Sequence, residues 1–296
     1  MTTINPVTTL TTDGEIAVLS LNHPPVNALS AILREGLLAG LQQAKAMPGI
    51  RALVLICEGR TFLAGADISE FGKPPQGPSL HLIQDEIEAA PFPVVAAIHG
   101  TSLGGGFEVA LCCHYRVAVP SAKCGLPEVH LGLLPGAGGT QRLPRIVGAA
   151  KALEMVTSGT HVGGAESLAM GLFDQLVPEG ELLAGAKQFA RQVLAEGRPL
   201  RKVRDADDKL LPDRGNPALF ANFRAANAKR FRGFLAPEYN IRCIEAAVNS
   251  TSFDEGKQVE RTLFLELVSG IQSQAQRYAF FAERQAQKIG DVPADT

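Results

Sequence analysis

Two glutamates stand in surroundings where an unpaired acid is rare. Glu108 lies in Gly106-Phe-Glu-Val-Ala-Leu111 and Glu128 in Gly125-Leu-Pro-Glu-Val129. Desolvation disfavours the charged form, so a carboxyl kept among apolar neighbours holds its proton more tightly than one in water. Two such groups near each other titrate apart, and one keeps its proton near neutrality while the other ionises. Such a pair can manage one water molecule, one member as base and the other as acid. A solvated helix face is the plain alternative, and apolar residues on both sides of Glu108 speak against it.

Three glycine-rich segments follow apolar runs: Leu63-Ala-Gly-Ala-Asp67, Gly100-Thr-Ser-Leu-Gly-Gly-Gly106 and Leu134-Pro-Gly-Ala-Gly-Gly139. Without a Cβ the backbone can approach a ligand and offer its N–H groups. Any one of these loops reads equally well as a tight turn. The second is the more telling, because Gly104 to Gly106 lead straight into a helical stretch that carries Glu108. Unpaired N–H groups and the positive end of the helix dipole would then face an anion or a developing oxyanion.

Other chemistries fit less well. Gly100-Thr-Ser102-Leu-Gly104 matches the GxSxG nucleophile elbow, but that motif needs an acid and then a histidine downstream. Here the last histidine is His161 and the first downstream aspartate is Asp174. A glutamate ahead of His161 would have to stand in. No GxxxxGK[ST] segment, zinc-spaced His/Cys cluster or strand-linked GxGxxG occurs, so no metal or nucleotide cofactor is expected. His99, His114 and His130 sit on or beside apolar segments and read as structural. The five cysteines, Cys57, Cys112, Cys113, Cys124 and Cys243, lack paired spacing and read as reduced core residues, which points to a reducing compartment.

The elements that position these residues follow from the apolar patterning. Glu15 to Leu21 and Arg51 to Cys57 read as strands, with a helix from Ser30 to Met47 between them; Ser30 can cap that helix and Pro48-Gly49 stops it. This is a βαβ unit and implies an α/β fold. After the Gly72 to Pro78 loop come a short helix over His81 to Ala90, a strand over Pro93 to His99, a helix over Phe107 to Cys113, a strand over Tyr115 to Val119 and a helix over Gly139 to Val147. From about Glu179 strand signals vanish, and helices follow, broken at prolines. The expected division is a core of residues 1–195 and an all-helical region of residues 196–296. A last long helix is expected from Glu255 to Ile289, with Leu263, Leu267 and Ile271 on its apolar face and Gly290 ending it.

The net charge of -2, from 28 basic and 30 acidic residues among 296, offers no field for nucleic acid or an anionic membrane. Neither a basic N-terminal region with an apolar run nor an 18-residue apolar stretch occurs, so neither export nor membrane insertion is expected.

Taken together, the ordered motifs from Leu21-Asn-His-Pro-Pro-Val-Asn-Ala-Leu29 through Pro135-Gly-Ala-Gly-Gly-Thr-Gln-Arg142 resemble the crotonase superfamily. The resemblance implies a ββα spiral core and an oxyanion hole from the Ala66 and Gly105 amides. It also implies Glu108 and Glu128 as the catalytic pair of a hydratase, since family members with other chemistries often lack one of them. Ala64, Asp67, Ile68, Gly104 and Gly136 would contact substrate. The implied reaction adds water to a 2-trans-enoyl-CoA to give a 3-hydroxyacyl-CoA, with the thioester as substrate and no cofactor. Two alternatives stand beside it: Δ3-Δ2-enoyl-CoA isomerisation at the same site, and a non-catalytic binding module.

The segment Gln276-Arg-Tyr-Ala-Phe-Phe-Ala-Glu-Arg284 resembles the linker that joins hydratase and 3-hydroxyacyl-CoA dehydrogenase parts in multifunctional β-oxidation enzymes. By that resemblance the chain is part of a longer enzyme whose dehydrogenase domain is not present here. It is expected to be a monomer, with trimers or hexamers as the alternative. The compartment would be cytoplasmic, or peroxisomal in a eukaryote. Ser69 replaces the basic residue that often follows the Ala-Asp-Ile run, which leaves Arg60, Lys73 and Arg284 as candidates for the CoA 3′-phosphate.

Overall fold

The computed structural model describes residues 1–286. Strands β1 (Thr2–Asn5), β2 (Thr8–Asp13) and β3 (Ile16–Leu21) precede helix α1 (Ala31–Ala46) and β4 (Ala52–Cys57). Helix α2 (Leu80–Glu88), β5 (Val94–Ile98), β6 (Thr101–Leu103), α3 (Gly105–Cys112), β7 (Tyr115–Ala118) and β8 (Lys123–Gly125) follow. Next come α4 (Gly139–Val147), α5 (Ala149–Ser158), β9 (Val162–Gly163), α6 (Gly164–Ala169), β10 (Gln175–Leu176) and α7 (Leu182–Ala195). The remaining elements are helices: α8 (Pro217–Phe231), α9 (Ala236–Asn249), α10 (Phe253–Ser269) and α11 (Ile271–Ala286).

The main sheet runs β1-β2-β3-β4-β5-β7-β10. Its first three strands pair antiparallel and the rest parallel, with β3 and β4 in register from Ile16 opposite Ala52 to Leu21 opposite Cys57. The expected βαβ unit is therefore present, and its central strands are buried on both faces, as parallel strands covered by helices must be. A second sheet, β6-β8-β9, lies off the first and leads directly into α3. Repeated strand, strand and helix around one core is the crotonase-type arrangement.

Three local expectations need correction. Ser30 stands at the N-cap of α1, but its side chain makes no capping bond. Glu70 does that work from a distant turn: its Oε1 accepts from the Ala31 N–H at 2.9 Å while its Oε2 pairs with Arg34 at 2.9 Å. A carboxylate near unpaired N–H groups at a helix start is favoured over a hydroxyl by its charge. Secondly, the long C-terminal helix is two helices, parted at Gly270. Thirdly, Leu263 and Leu267 are buried as expected, whereas Ile271, just past the break, is 84% exposed. The ending at Gly290 lies outside the described residues.

The division near residue 195 falls at the end of α7, yet apolar packing continues across it. Leu210, Phe220, Ile241, Ile244 and Val248 join the cluster that begins at Leu10. A second cluster joins Leu133 and Leu134 to Ala236, Cys243, Leu263 and Leu267. Helices α9 and α10 therefore back the loop between Glu128 and α4.

Candidate active site

Glycine geometry builds the floor. Gly104 has φ +50° at the N-cap of α3, a conformation that only glycine adopts without strain. A Cβ on Gly106 would lie 2.2 Å from the Leu63 carbonyl oxygen, so the Leu63–Asp67 segment rests directly on the first turn of α3. A Cβ on Gly105 would lie 3.4 Å from the Ala66 nitrogen, which places the two expected oxyanion residues side by side. Neither the Ala66 nor the Gly105 N–H donates to another backbone or side-chain acceptor among the described residues. Both are left free for a ligand oxygen.

Glu108, one turn into α3, is 2% exposed. Its Oε1 accepts from the Ala137 N–H at 2.8 Å and the Gly139 N–H at 2.7 Å. Burial pushes its carboxyl up to about 7, and those two donors together with Arg142 limit the rise. Glu128, at the start of the turn Glu128–Leu131, faces it across Gly104, whose Cβ would lie 2.9 Å from Glu128 Oε1. Glu128 Oε2 is enclosed and has no hydrogen-bond partner. Burial first, then the nearby charges of Glu108 and Glu260, raise the Glu128 carboxyl well above the ordinary range. The two acids thus differ in kind: Glu108 is held by donors that favour its anion, and Glu128 by an environment that keeps its proton.

A third acid belongs to the group, and the sequence reading missed it. Glu260 on α10 is fully buried. It accepts from the Gly138 N–H at 2.6 Å, from the Thr140 N–H at 3.1 Å and from the Thr140 hydroxyl. Burial and the Glu108 charge raise it to about 8. One signal was available, since Phe253, Gly256, Glu260, Leu263 and Leu267 recur at helical spacing and place this acid within an apolar stripe.

The other expected contacts divide. Ala64 and Ile68 are partly buried beside the oxyanion pair. Asp67 spends its carboxylate on the adjacent turn, accepting from the Ser69 N–H at 3.0 Å. Gly136 packs against Phe264 of α10, where a Cβ would lie 2.4 Å from the ring. Arg60 and Lys73 are exposed, and Arg284 is exposed with its guanidinium 4.1 Å over the Phe280 ring.

The rival elbow reading loses its support in the structure. Ser102 is buried inside β6, paired to β8 rather than at the turn, and its Oγ has no partner. No base engages it. Two of the histidines make structural contacts: His114 Nδ1 accepts from the Val94 N–H at 3.0 Å, and a His99 ring nitrogen lies 3.0 Å from the Gly59 carbonyl. All five cysteines are free and buried, with burial pushing Cys113 and Cys124 up to about 12. Among the described residues no metal-ligating cluster occurs, and no helix is long and apolar enough to cross a membrane.

Known proteins are similar to this chain in sequence and in fold. The peroxisomal bifunctional enzyme of Danio rerio is 44% identical over 277 residues, covering 92% of this chain and 37% of its own length. The human peroxisomal bifunctional enzyme is 40% identical over 274 residues, again with 37% of its length covered, so the chain spans little more than a third of these relatives. A probable enoyl-CoA hydratase of Bacillus subtilis is 45% identical over 198 residues, which covers 64% of this chain and 76% of that protein. A crystal structure of an enoyl-CoA hydratase/isomerase from Pseudoalteromonas atlantica shares the fold, with TM-score 0.67 at 23% identity over 94% of this chain and 97% of that one. The enoyl-CoA hydratase/isomerase family model matches residues 11–219, the stretch that holds Ala66, Gly105, Glu108 and Glu128, and the chain belongs to that family.

Proposed function

We propose that this chain hydrates 2-trans-enoyl-CoA thioesters to 3-hydroxyacyl-CoA in fatty-acid β-oxidation, with Glu108 as base and Glu128 as acid. The observation that carries this reading is the unequal holding of the two carboxyls across one glycine turn. Two N–H donors favour the Glu108 anion, whereas Glu128 Oε2 is enclosed without a partner. A thioester oxygen resting on the Ala66 and Gly105 N–H groups sets C2 and C3 above the pair. Glu108 takes a proton from water as the oxygen bonds to C3, and the electrons of the double bond move to the thioester oxygen as an enolate. Glu128 then gives its proton to C2 as the carbonyl reforms. Fixed donors aimed at a developing oxyanion contribute on the order of 3 kcal/mol each to lowering the barrier.

The CoA thioester is the substrate, and no further cofactor enters the scheme. Ala64, Ile68 and Gly104 are proposed to line the acyl-thioester path, with Asp67 and Gly136 shaping it through the turn cap and the Phe264 contact. The chain is proposed to be a monomer in a reducing compartment, the cytoplasm or a peroxisome. Its α10 already covers the Glu128–α4 loop from within one chain. A stable trimer or hexamer on sedimentation would contradict that.

The test is loss of the ultraviolet enoyl-thioester absorbance, read for Glu108→Gln and Glu128→Gln. Each should lower turnover by about a hundredfold or more with acyl-CoA affinity nearly unchanged, because general acid–base groups act mainly in the transition state. Wild-type-like turnover in either variant sinks the assignment. A second reading, Δ3-Δ2-enoyl-CoA isomerisation, is favoured by the unpartnered Glu128 Oε2, which is free to carry one proton between C4 and C2. Isomerisation should then survive Glu108→Gln and be lost in Glu128→Gln.

A further inference from the structure

Four consecutive amides, residues 137 to 140, are divided between two buried carboxyls from distant parts of the chain. Ala137 and Gly139 donate to Glu108 Oε1, and Gly138 and Thr140 donate to Glu260. The alternation means that neither set can move without the other. Glu260 reaches the loop from α10, more than a hundred residues along the chain, and the Thr140 hydroxyl adds a third donor to it. Gly138 has φ +87°, the left-handed turn that points successive amides to different sides. Gln141 ties the same turn to α9, donating from Nε2 to the Cys243 carbonyl at 3.1 Å.

We propose that Glu260 is a positioning residue for the hydration reaction argued above: by gripping Gly138 and Thr140 it holds the Ala137 and Gly139 N–H groups on Glu108 Oε1 and so sets the basicity of the general base. The inference rests on that reading of Glu108. The helical C-terminal region thereby takes part in the chemistry of the core. Facing Glu260 are Glu108 from α3, Glu128 from its turn, Arg142 from α4 and Cys243 from α9. Of these, Arg142 alone carries positive charge, and it is already paired with Glu88 at 2.9 Å.

The sign of the effect separates positioning from simple electrostatics. Glu260, raised to about 8, still holds its proton where Glu108 titrates near 7, so by charge alone its removal leaves the Glu108 midpoint in place or lowers it. Loosening two donors to its anion raises the midpoint, by about one pH unit for weakened hydrogen bonds to a carboxylate. Glu260→Met keeps the length of the side chain and removes every acceptor, whereas Glu260→Gln keeps an oxygen for Gly138.

The experiment follows Glu108 ionisation by carboxyl-carbon NMR in the wild-type chain and both variants, beside the pH dependence of kcat. In Glu260→Met the midpoint near 7 and the acid limb of kcat should rise together by about one unit, with KM for a 2-enoyl-CoA little changed. Glu260→Gln should restore most of the shift. An unmoved or lowered midpoint in a folded Glu260→Met overturns the proposal, even if thermal stability falls. Should that variant not fold, the wild-type chain decides: the Ala137 and Gly139 amide signals should show a second step as Glu260 titrates near 8, and its absence overturns the proposal. The NMR midpoints need no turnover, so a wild-type chain inactive on every enoyl-CoA would refute the proposed reaction while leaving this test readable.

Discussion

Replacing Gly106 by alanine tests whether contact between two loops, rather than either loop alone, makes the proposed oxyanion site. The new Cβ would lie 2.2 Å from the Leu63 oxygen, 2.5 Å from the Leu63 Cβ and 2.6 Å from the Leu63 carbonyl carbon. All three atoms belong to backbone or to a buried side chain, so no flexible end can swing aside. Restoring ordinary contact requires a displacement of roughly 1 Å. The segment that must yield runs from Leu63 to Ala66, and Leu63 also accepts the Leu103 N–H at 3.1 Å. Overpacking of this kind costs about 1–3 kcal/mol of stability. A misplacement of about 1 Å in groups that position a reacting oxygen can cost on the order of a hundredfold in rate. The assay pairs a denaturant melt with the enoyl-thioester absorbance. The expected result is a modest loss of stability with kcat down about a hundredfold. Turnover within a few-fold of wild type in a stably folded Gly106→Ala would refute the claim that the Leu63–Ala66 backbone is held in place by α3.

Other consequences follow from the same group of residues. Hydration should fall as pH drops through about 7, where Glu108 takes up the proton that disables it as a base, and a pH series of kcat checks this. Because burial raises Glu108 and Glu260 above the ordinary carboxyl value of 4.5, the folded chain binds more protons than the unfolded chain. Their contribution to stability is therefore fullest below 4.5 and is lost as pH rises through about 7 and about 8; urea midpoints should fall over that window, and less steeply in Glu108→Gln. Arg142 is fully buried and donates from Nε to Glu88 Oε1 at 2.9 Å, so Arg142→Met strands a buried carboxylate and should cost about 3–5 kcal/mol in the same melts. A loss below 1 kcal/mol would show that Glu88 finds another partner, with Arg204 the nearest alternative.

The legible parts of the site were those written in short segments. Helices and strands such as α1, β4 and β5 declare themselves through apolar periodicity, because each buries one face or both. The glycine loops were visible for a similar reason, since only glycine tolerates the backbone that Gly104 adopts. Other elements left little trace. Strands β6, β8, β9 and β10 have two or three residues each, too few for a period to show. The β1–β2 hairpin is rich in threonine rather than apolar residues, so its pattern does not mark a core strand.

Sequence by itself determined the class of fold, the two glutamates and the loops that flank them, because burial pattern and backbone freedom are local properties of the chain. It marked an apolar face with Leu263 and Leu267 on the C-terminal helices but not what those helices bring to the core. Only the tertiary structure decided that Glu70 caps α1 in place of Ser30, that Gly136 meets Phe264, and that Glu260 shares the 137–140 amides with Glu108. These pairings join residues tens to more than a hundred positions apart. Which donor meets which carboxyl is fixed by packing against α9 and α10, and packing has no short-range signature.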